Sequence, residues 1–326
     1  MATRALRSVL RSRTFAITIG LGLTALLVWR IGPGRVGASV ERASLLLLVA
    51  AVALNVPVIL LRTWRSHVLL RRLDAKVSAW RLTTSGVVGL TLSGITPAAG
   101  GDLVRAYLWR RDDGVPVHSG ALVVIVERVG ALALMGLLGL STLALELAGW
   151  QLRVVALLSW VCLGFPWLAS RLGVGSWLLR QTTRLPLVRR WATRFERSAD
   201  EVVLMSEDVL LQVGFCALSG LIFAISGAQV WLLVIGLGGS VPYLAAIAGY
   251  CLSQVGGAIS NLPFGLAAGD ALLVLVLAQV GLTPHVGAAA AILLRATTTL
   301  PIALAAAAAW VLTLPGRRTL GPAGDR

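Results

Sequence analysis

The chain has 326 residues, 57% of them hydrophobic and only 13% charged, where an ordinary soluble domain carries about 25% charged residues. Several apolar stretches reach or approach the roughly 20 residues that span a bilayer, and no segment is long and polar enough for a separate soluble domain. The net charge of +15 does not point to nucleic acid, because the basic residues sit in short runs beside apolar segments, where they set topology and meet anionic headgroups.

Arg4, Arg7, Arg11 and Arg13 precede an apolar run over residues 14–29. A signal peptide with a weak cleavage site at Val36-Gly37-Ala38 is one reading. A retained first helix is preferred, because everything downstream is also membranous, and the arginines then place the N-terminus in the cytoplasm. A second helix is expected over 43–61. Arg62, Arg65, Arg71, Arg72, Lys76 and Arg81 follow it on the cytoplasmic side, against Asp74 alone.

Residues 85–99 are apolar but short, and end in Gly94, Pro97, Gly100 and Gly101. Irregular backbone at membrane depth is tolerated only where protein or a water-filled cavity satisfies its polar groups. The stretch 85–118 therefore reads as a re-entrant hairpin and as a pointer to a site. A long helix over 119–150 carries Glu127 and Arg128 in its first third, and 154–168 returns inward. A basic loop follows, with Arg171, Arg180, Arg184, Arg189, Arg190, Arg194 and Arg197. Residues 209–237 cross outward. Residues 241–279 form a second apolar stretch broken at Gly256, Gly257, Pro263, Gly265 and Gly269, a second hairpin entering from the outer side. The last crossing, 286–312, contains Pro301 as a kink point and precedes Arg317 and Arg318.

The expected fold class is an all-α integral membrane protein, a polytopic helical bundle forming a single membrane domain over 1–326. Repeat one spans 43–149, a connecting crossing with the basic cytoplasmic loop spans 150–208, and repeat two spans 209–312. The lone crossing at 154–168 inverts the second copy. The plan is then two inverted-topology repeats, each with a broken re-entrant hairpin, as in many transporters.

Between Val209 and Gly316 the only fully charged side chains are Asp270 and Arg295, 25 residues apart. Asp102 and Arg128 stand 26 apart in a matching context. Gly114, His118, Gly120, Ala121 and Arg128 recur at one offset as Gly281, His285, Gly287, Ala288 and Arg295. Each ionisable group at mid-membrane costs roughly 2.5–3.5 kcal/mol on insertion scales, so these must be paired, hydrated or bound. One reading is two Asp–Arg locks, each tying a hairpin to its following helix. The other is a central site in which Arg128 and Arg295 bind an anionic headgroup and Asp102 and Asp270 orient them, since a guanidinium fork matches phosphate. Plain helix capping is a third role open to both aspartates.

Glu127 adjoins Arg128, but neighbouring helical residues point about 100° apart. Its counterpart position holds Leu294, so it breaks the repeat. It reads as a salt bridge to a neighbouring helix, or as an added group in the site. His118 and His285 sit at the start of crossings. Interfacial packing is the preferred role, and proton-linked gating the sharper one. No second ligand accompanies them at helical spacing, so no metal is expected. Cys162, Cys216 and Cys251 are scattered singly and read as small apolar side chains. No catalytic or cofactor fingerprint occurs in a usable context, so neither an enzyme nor a cofactor is expected.

The run P-A-A-G-G-D-L-V-R-A-Y (97–107), then G-V-P-V-H-S-G-A (114–121) and V-V-I-V-E-R-V-G-A-L (123–132), resembles the lysylphosphatidylglycerol synthase transmembrane region, also called the flippase-like domain or UPF0104 family. L-R-T-W-R-S-H-V-L-L (61–70), N-L-P-F-G-L-A-A-G-D (261–270) and A-I-L-L-R (291–295) fit it too. The chain departs in having Asp102 and Asp270 where the family has Glu after its Gly-rich turns. Its second turn keeps only Gly265 between Phe264 and Ala268. The resemblance implies a multi-pass protein of the bacterial inner membrane, and the arginine runs at either end are expected to keep both termini cytoplasmic. It also implies lipid handling, since some members flip aminoacylated phospholipid and others are associated with polyprenyl-linked sugars. With Arg128 and Arg295 the expectation is translocation or binding of an anionic phospholipid or a polyprenyl-phosphate-linked lipid headgroup. A non-transporting partner of a glycosyltransferase or another envelope enzyme is the alternative.

Overall fold

In the computed structural model, residues 18–147, 150–151, 153–158, 201, 205 and 208–313 are described. The return crossing at 154–168 and the basic loop lie mostly outside them. The described residues form helices with no strand. In chain order these are α1 (Thr18–Ile31), α2 (Pro33–Glu41), α3 (Leu45–Ala53), α4 (Asn55–Arg72), α5 (Ala79–Ile95), α6 (Leu103–Asp113) and α7 (Val117–Glu146). After the gap come α8 (Val209–Gly236), α9 (Tyr243–Ser260), α10 (Ala268–Gln279), α11 (Pro284–Leu294) and α12 (Leu300–Thr313). Five stretches among the described residues are long and apolar enough to cross a membrane: Leu45–Arg72, Val117–Glu146, Val209–Gly236, Tyr243–Ser260 and Pro284–Ala309. Leu45, Leu46, Leu210 and Ile259 are exposed on this bundle, as apolar side chains are where the solvent is lipid. The chain is an all-helical membrane protein.

The second crossing is longer than the sequence reading had it. Helix does not stop at Leu61 but runs through α4 to Arg72. Leu69 and Leu70 are buried on the same face as Arg65 and Ser66, so apolar packing at helical spacing carries the helix past its arginines. Two residues that read as topology signals, Arg62 and Arg65, thereby become part of the interior.

Both broken stretches are helical hairpins. In the first, α5 (17 residues) turns through a 3-10 segment, Pro97–Asp102, into α6 (11 residues). In the second, α9 (18 residues) turns through Pro263–Gly265 into α10 (12 residues). The arms are antiparallel: Trp109 Nε1 donates to Ser85 Oγ at 2.9 Å, and Arg81 Nη1 reaches Asp113 Oδ1 at 2.6 Å at the open end. Glycine makes the tips. A methyl group on Gly101 would overlap the backbone of Leu92 and Ser93. One on Gly265, which has φ +63°, would come 2.8 Å from Gly257 Cα. The second tip also holds Asn261, Phe264 and Ala267 at positive φ, a conformation that L-residues adopt only at a cost.

The hairpins exchange partners. α9 packs on α7, the last helix of the first half, and α5 packs on α12, the last helix of the second. Small residues allow close approach: Gly139 of α7 faces Cys251 and Leu252, and Gly227 of α8 faces Ile247. The two tips meet where the Phe264 ring lies against Gly94.

The kink assigned to Pro301 is realised one turn earlier, as a π-helical turn over Arg295–Thr299. Proline has no N–H to offer the carbonyl four residues back, and its ring pushes that carbonyl away. The freed carbonyl is that of Thr297, and Asn55 Nδ2 donates to it at 2.7 Å. Asn55 also donates to Val52 O (2.8 Å), and Gln229 Nε2 donates to Ala51 O (2.9 Å) and to Asn55 Oδ1 (3.2 Å). Both carbonyls lie at the α3–α4 break ahead of Pro57. One network thus ties the α3–α4 break to the carbonyl that Pro301 frees.

α1 and α2 are built into this body. Gly20 lies against Leu266, Val36 is buried, and Val36-Gly37-Ala38 falls in the middle of α2.

Candidate functional site

Between the hairpin tips, α4, α7 and the π turn lies a cavity of about 440 Å³. All of Asp102, Glu127, Arg128, Asp270 and Arg295 line it. So do Arg62 and Arg65, which the sequence placed among the cytoplasmic charges after the second helix, and Arg105 of α6. His118 and His285 do not line it. His118 Nε2 lies 3.5 Å from Glu201 Oε1 at the start of α7, and His285 Nε2 lies 3.4 Å from Thr283 Oγ1 at the start of α11. Cys251 is buried in the core, Cys216 is exposed, and Cys162 lies outside the described residues. Among the described residues no three His, Cys, Asp or Glu side chains converge as a metal site.

The two repeated Asp–Arg pairs form, and they differ. Arg295 Nε donates to Asp270 Oδ1 at 2.8 Å, and Nη2 lies 2.7 Å from the same oxygen. Nη1 donates to Phe264 O (2.9 Å) and Nη2 to Gly265 O (3.3 Å). Asp270 is the third residue of α10, and its Oδ2 accepts the Ala267 N–H at 3.1 Å, a helix-start cap. Thr24 Oγ1 of α1 donates to that same oxygen at 3.4 Å. Arg295 is thus spent on holding the second tip, with the lock and the cap combined. Arg128 is not spent. Its Nη1 stands 3.5 Å from Asp102 Oδ2, with no hydrogen bond formed. Asp102 makes no side-chain cap either.

Glu127 is an interhelical ion pair. Its Oε2 accepts Arg105 Nη1 at 2.8 Å, Oε1 accepts Ser66 Oγ at 2.7 Å, and Arg65 Nε stands 3.5 Å away. Arg105 Nη2 donates to Ser66 Oγ (2.6 Å), Arg65 Nη1 to Ser219 Oγ (2.9 Å). Each guanidinium also lies over an aromatic ring, Arg65 over Phe215 at 5.0 Å and Arg105 over Trp109 at 4.9 Å, where the ring face favours a cation. Glu127 and Arg128 face different partners, as their adjacency on a helix requires.

Five arginines and three carboxylates line the cavity, a surplus of two positive charges. The surplus has an address. Among the described residues Arg62 has no acid within ion-pair distance, and its Nε is buried without a hydrogen-bond partner. Arg128 has only the long contact to Asp102. Exposure sharpens the asymmetry. The Asp102, Glu127 and Asp270 side chains are 9%, 5% and 9% exposed, while Arg295 is 25% and Arg128 39% exposed. The charge that meets an entering group is arginine, with the carboxylates behind it.

A family model described as "Lysylphosphatidylglycerol synthase TM region" matches residues 14–306, which contain both hairpins and every charged residue of the cavity. The chain is also similar to a "UPF0104 membrane protein" of Methanothermobacter thermautotrophicus, 25% identical over 302 residues that cover 86% of this chain and 89% of the relative.

Proposed function

Because the chain belongs to the family of the lysylphosphatidylglycerol synthase TM region, we propose that it is a flippase-like protein that binds and translocates a lipid through its phosphate headgroup. The observation that carries this reading is the cavity between two broken hairpins with two uncommitted guanidiniums, Arg62 and Arg128. A guanidinium desolvated without a partner is costly in a membrane interior, and a phosphate supplies the missing partner with two donors in register. In this reading the repeats run in opposite orientations and their tips open in turn to the two sides. The Phe264–Gly94 contact is the point where they part. A cytoplasmic position for the open end of the first hairpin is supported by Arg71, Arg72, Arg81, Arg110 and Arg111 near it, through the positive-inside rule.

The test is reconstitution into liposomes with fluorescent phosphatidylglycerol, scored by dithionite accessibility. Wild type is expected to move label across the bilayer faster than empty liposomes, and Arg128→Ala to lose at least about tenfold of that rate, about 1.4 kcal/mol of barrier. Wild-type movement no faster than that of the variant sinks transport. Arginine-dependent binding without movement assigns the protein instead to presenting lipid to an envelope enzyme.

A further inference from the structure

The cavity also discriminates by sign of charge, and this deepens the headgroup reading on which it rests. Two of its three carboxylates are engaged in hydrogen bonds, and the third, Asp102, is shielded behind Arg128. Glu127 is held by Arg105 at 2.8 Å and Ser66 at 2.7 Å. Asp270 is held by Arg295 and by the Ala267 amide. Asp102 is nearly buried, its Oδ1 against Gly89 and its Oδ2 toward Arg128. An ammonium group entering here finds no exposed acid. It meets the partly exposed Arg128, with Arg62 also in the lining, and like charges repel in a poorly screened interior. To gain a carboxylate it must displace the arginine bonded to Glu127 or Asp270, or pass Arg128 to reach the nearly buried Asp102. The neutral groups on offer, such as Gln254 and Thr298, suit hydroxyls.

We infer that the ligand is a lipid whose headgroup is net anionic, carrying a phosphoryl group with hydroxyls or sugar and no amine, and that aminoacylated lipid is rejected. This sets the chain apart from the cationic lipid in its family's description. The discrimination comes from Arg62 and Arg128 together. Arg62 was not legible as a site residue in the sequence. Its Nε is buried and unpartnered, as are those of Arg65 and Arg105, but those two pair with Glu127 and Arg62 has no acid within ion-pair distance among the described residues.

The experiment is a titration of the purified full chain in detergent with dioctanoyl phosphatidylglycerol and its lysyl ester, read by intrinsic tryptophan fluorescence, with inorganic phosphate as a third arm. Phosphatidylglycerol is expected to bind at least about tenfold tighter than the lysyl ester. Its affinity should fall as salt rises from ~50 to ~500 mM, since screening weakens charge recognition. In Arg62→Gln/Arg128→Gln the ratio should collapse toward one. The salt series on wild type keeps the test decisive even if that variant fails to fold. Salt-sensitive phosphatidylglycerol binding with the lysyl ester equal or tighter overturns the sign preference and leaves the headgroup reading standing. No salt-sensitive binding of either lipid overturns both. Inorganic phosphate binding as tightly as the lipid would assign the site to a soluble anion and overturn the lipid assignment.

Discussion

Arg128 and Arg295 occupy equivalent places in the repeat, yet they do different work. Arg295 closes four contacts with Asp270 and the second tip, so Arg295→Ala strands a buried carboxylate. Loss of one partner of such a pair costs about 3–5 kcal/mol. Arg128→Ala removes one long contact from a side chain that is more than a third exposed, and the expected cost is about 0–1 kcal/mol. Thermal unfolding in detergent checks this: a large fall in Tm for Arg295→Ala, and a change within a degree or two for Arg128→Ala. Equal losses would mean that both arginines are structural. The sequence carried the pairing, because charge is rare in the second half and the context repeats. It did not carry the difference, which depends on Phe264 and Gly265 presenting their carbonyls to one arginine and on nothing comparable reaching the other. Arg62, Arg65 and Arg105 stayed hidden for a related reason. Beside a membrane segment an arginine reads as a topology signal, and only the continuation of α4 to Arg72 turns two of them inward.

Among the elements, the broken tips and the proline breaks are the places where local chemistry decides geometry. Gly101→Ala sets a methyl against the Leu92 backbone, which cannot swing aside as a side chain can. The hairpin must then open, at about 1–3 kcal/mol. Gly214→Ala in α8, where nothing lies within 4 Å, is the control and should be neutral or stabilising. Proteolysis or unfolding of the two variants tells them apart, and equal behaviour would contradict the tip geometry. Asn55→Ala leaves the Thr297 carbonyl buried without its partner, for a loss of about 1–3 kcal/mol. At the start of α8, Asp208 Oδ1 accepts the Leu211 amide at 3.0 Å, and Oδ2 meets Arg72 Nε at 2.8 Å. The amide bond, with Arg72 adding to it, holds the Asp208 carboxyl below its ordinary 3.8. Its contribution is therefore present above that value and lost as pH falls through the lower folded one. Asp208→Asn should lower stability modestly at neutral pH and converge with wild type as the wild-type carboxyl protonates in acid, flattening the acid-side slope read by unfolding across a pH series. Both hairpins were legible from Gly and Pro interrupting apolar runs. The kink was placed at Pro301 in sequence because proline marks the cause, whereas the distortion, a π turn, falls on the preceding turn, which holds the carbonyl it frees.

Across the whole molecule, the exchange of hairpins between halves puts the tips of both against one cavity. Neither half could build that site alone. Class, hairpins, the four charged lining residues singled out by repeat and the unrepeated Glu127 were readable from sequence, since membrane insertion penalises charge heavily enough to make each one conspicuous. The cavity's sign was not readable. It depends on which charges cancel, and Glu127 is cancelled by arginines from α4 and α6 rather than by its neighbour. The account stands on a headgroup meeting Arg62 and Arg128 between the tips. The most direct measurement is photo-crosslinking in nanodiscs with phosphatidylglycerol bearing a headgroup diazirine, with adducts mapped by mass spectrometry. The predicted result is labelling of peptides that carry Arg62 and Arg128, reduced in Arg128→Ala and competed by unlabelled phosphatidylglycerol. Adducts confined to outward-facing residues such as Leu46 or Ile259, unchanged in that variant, would contradict it.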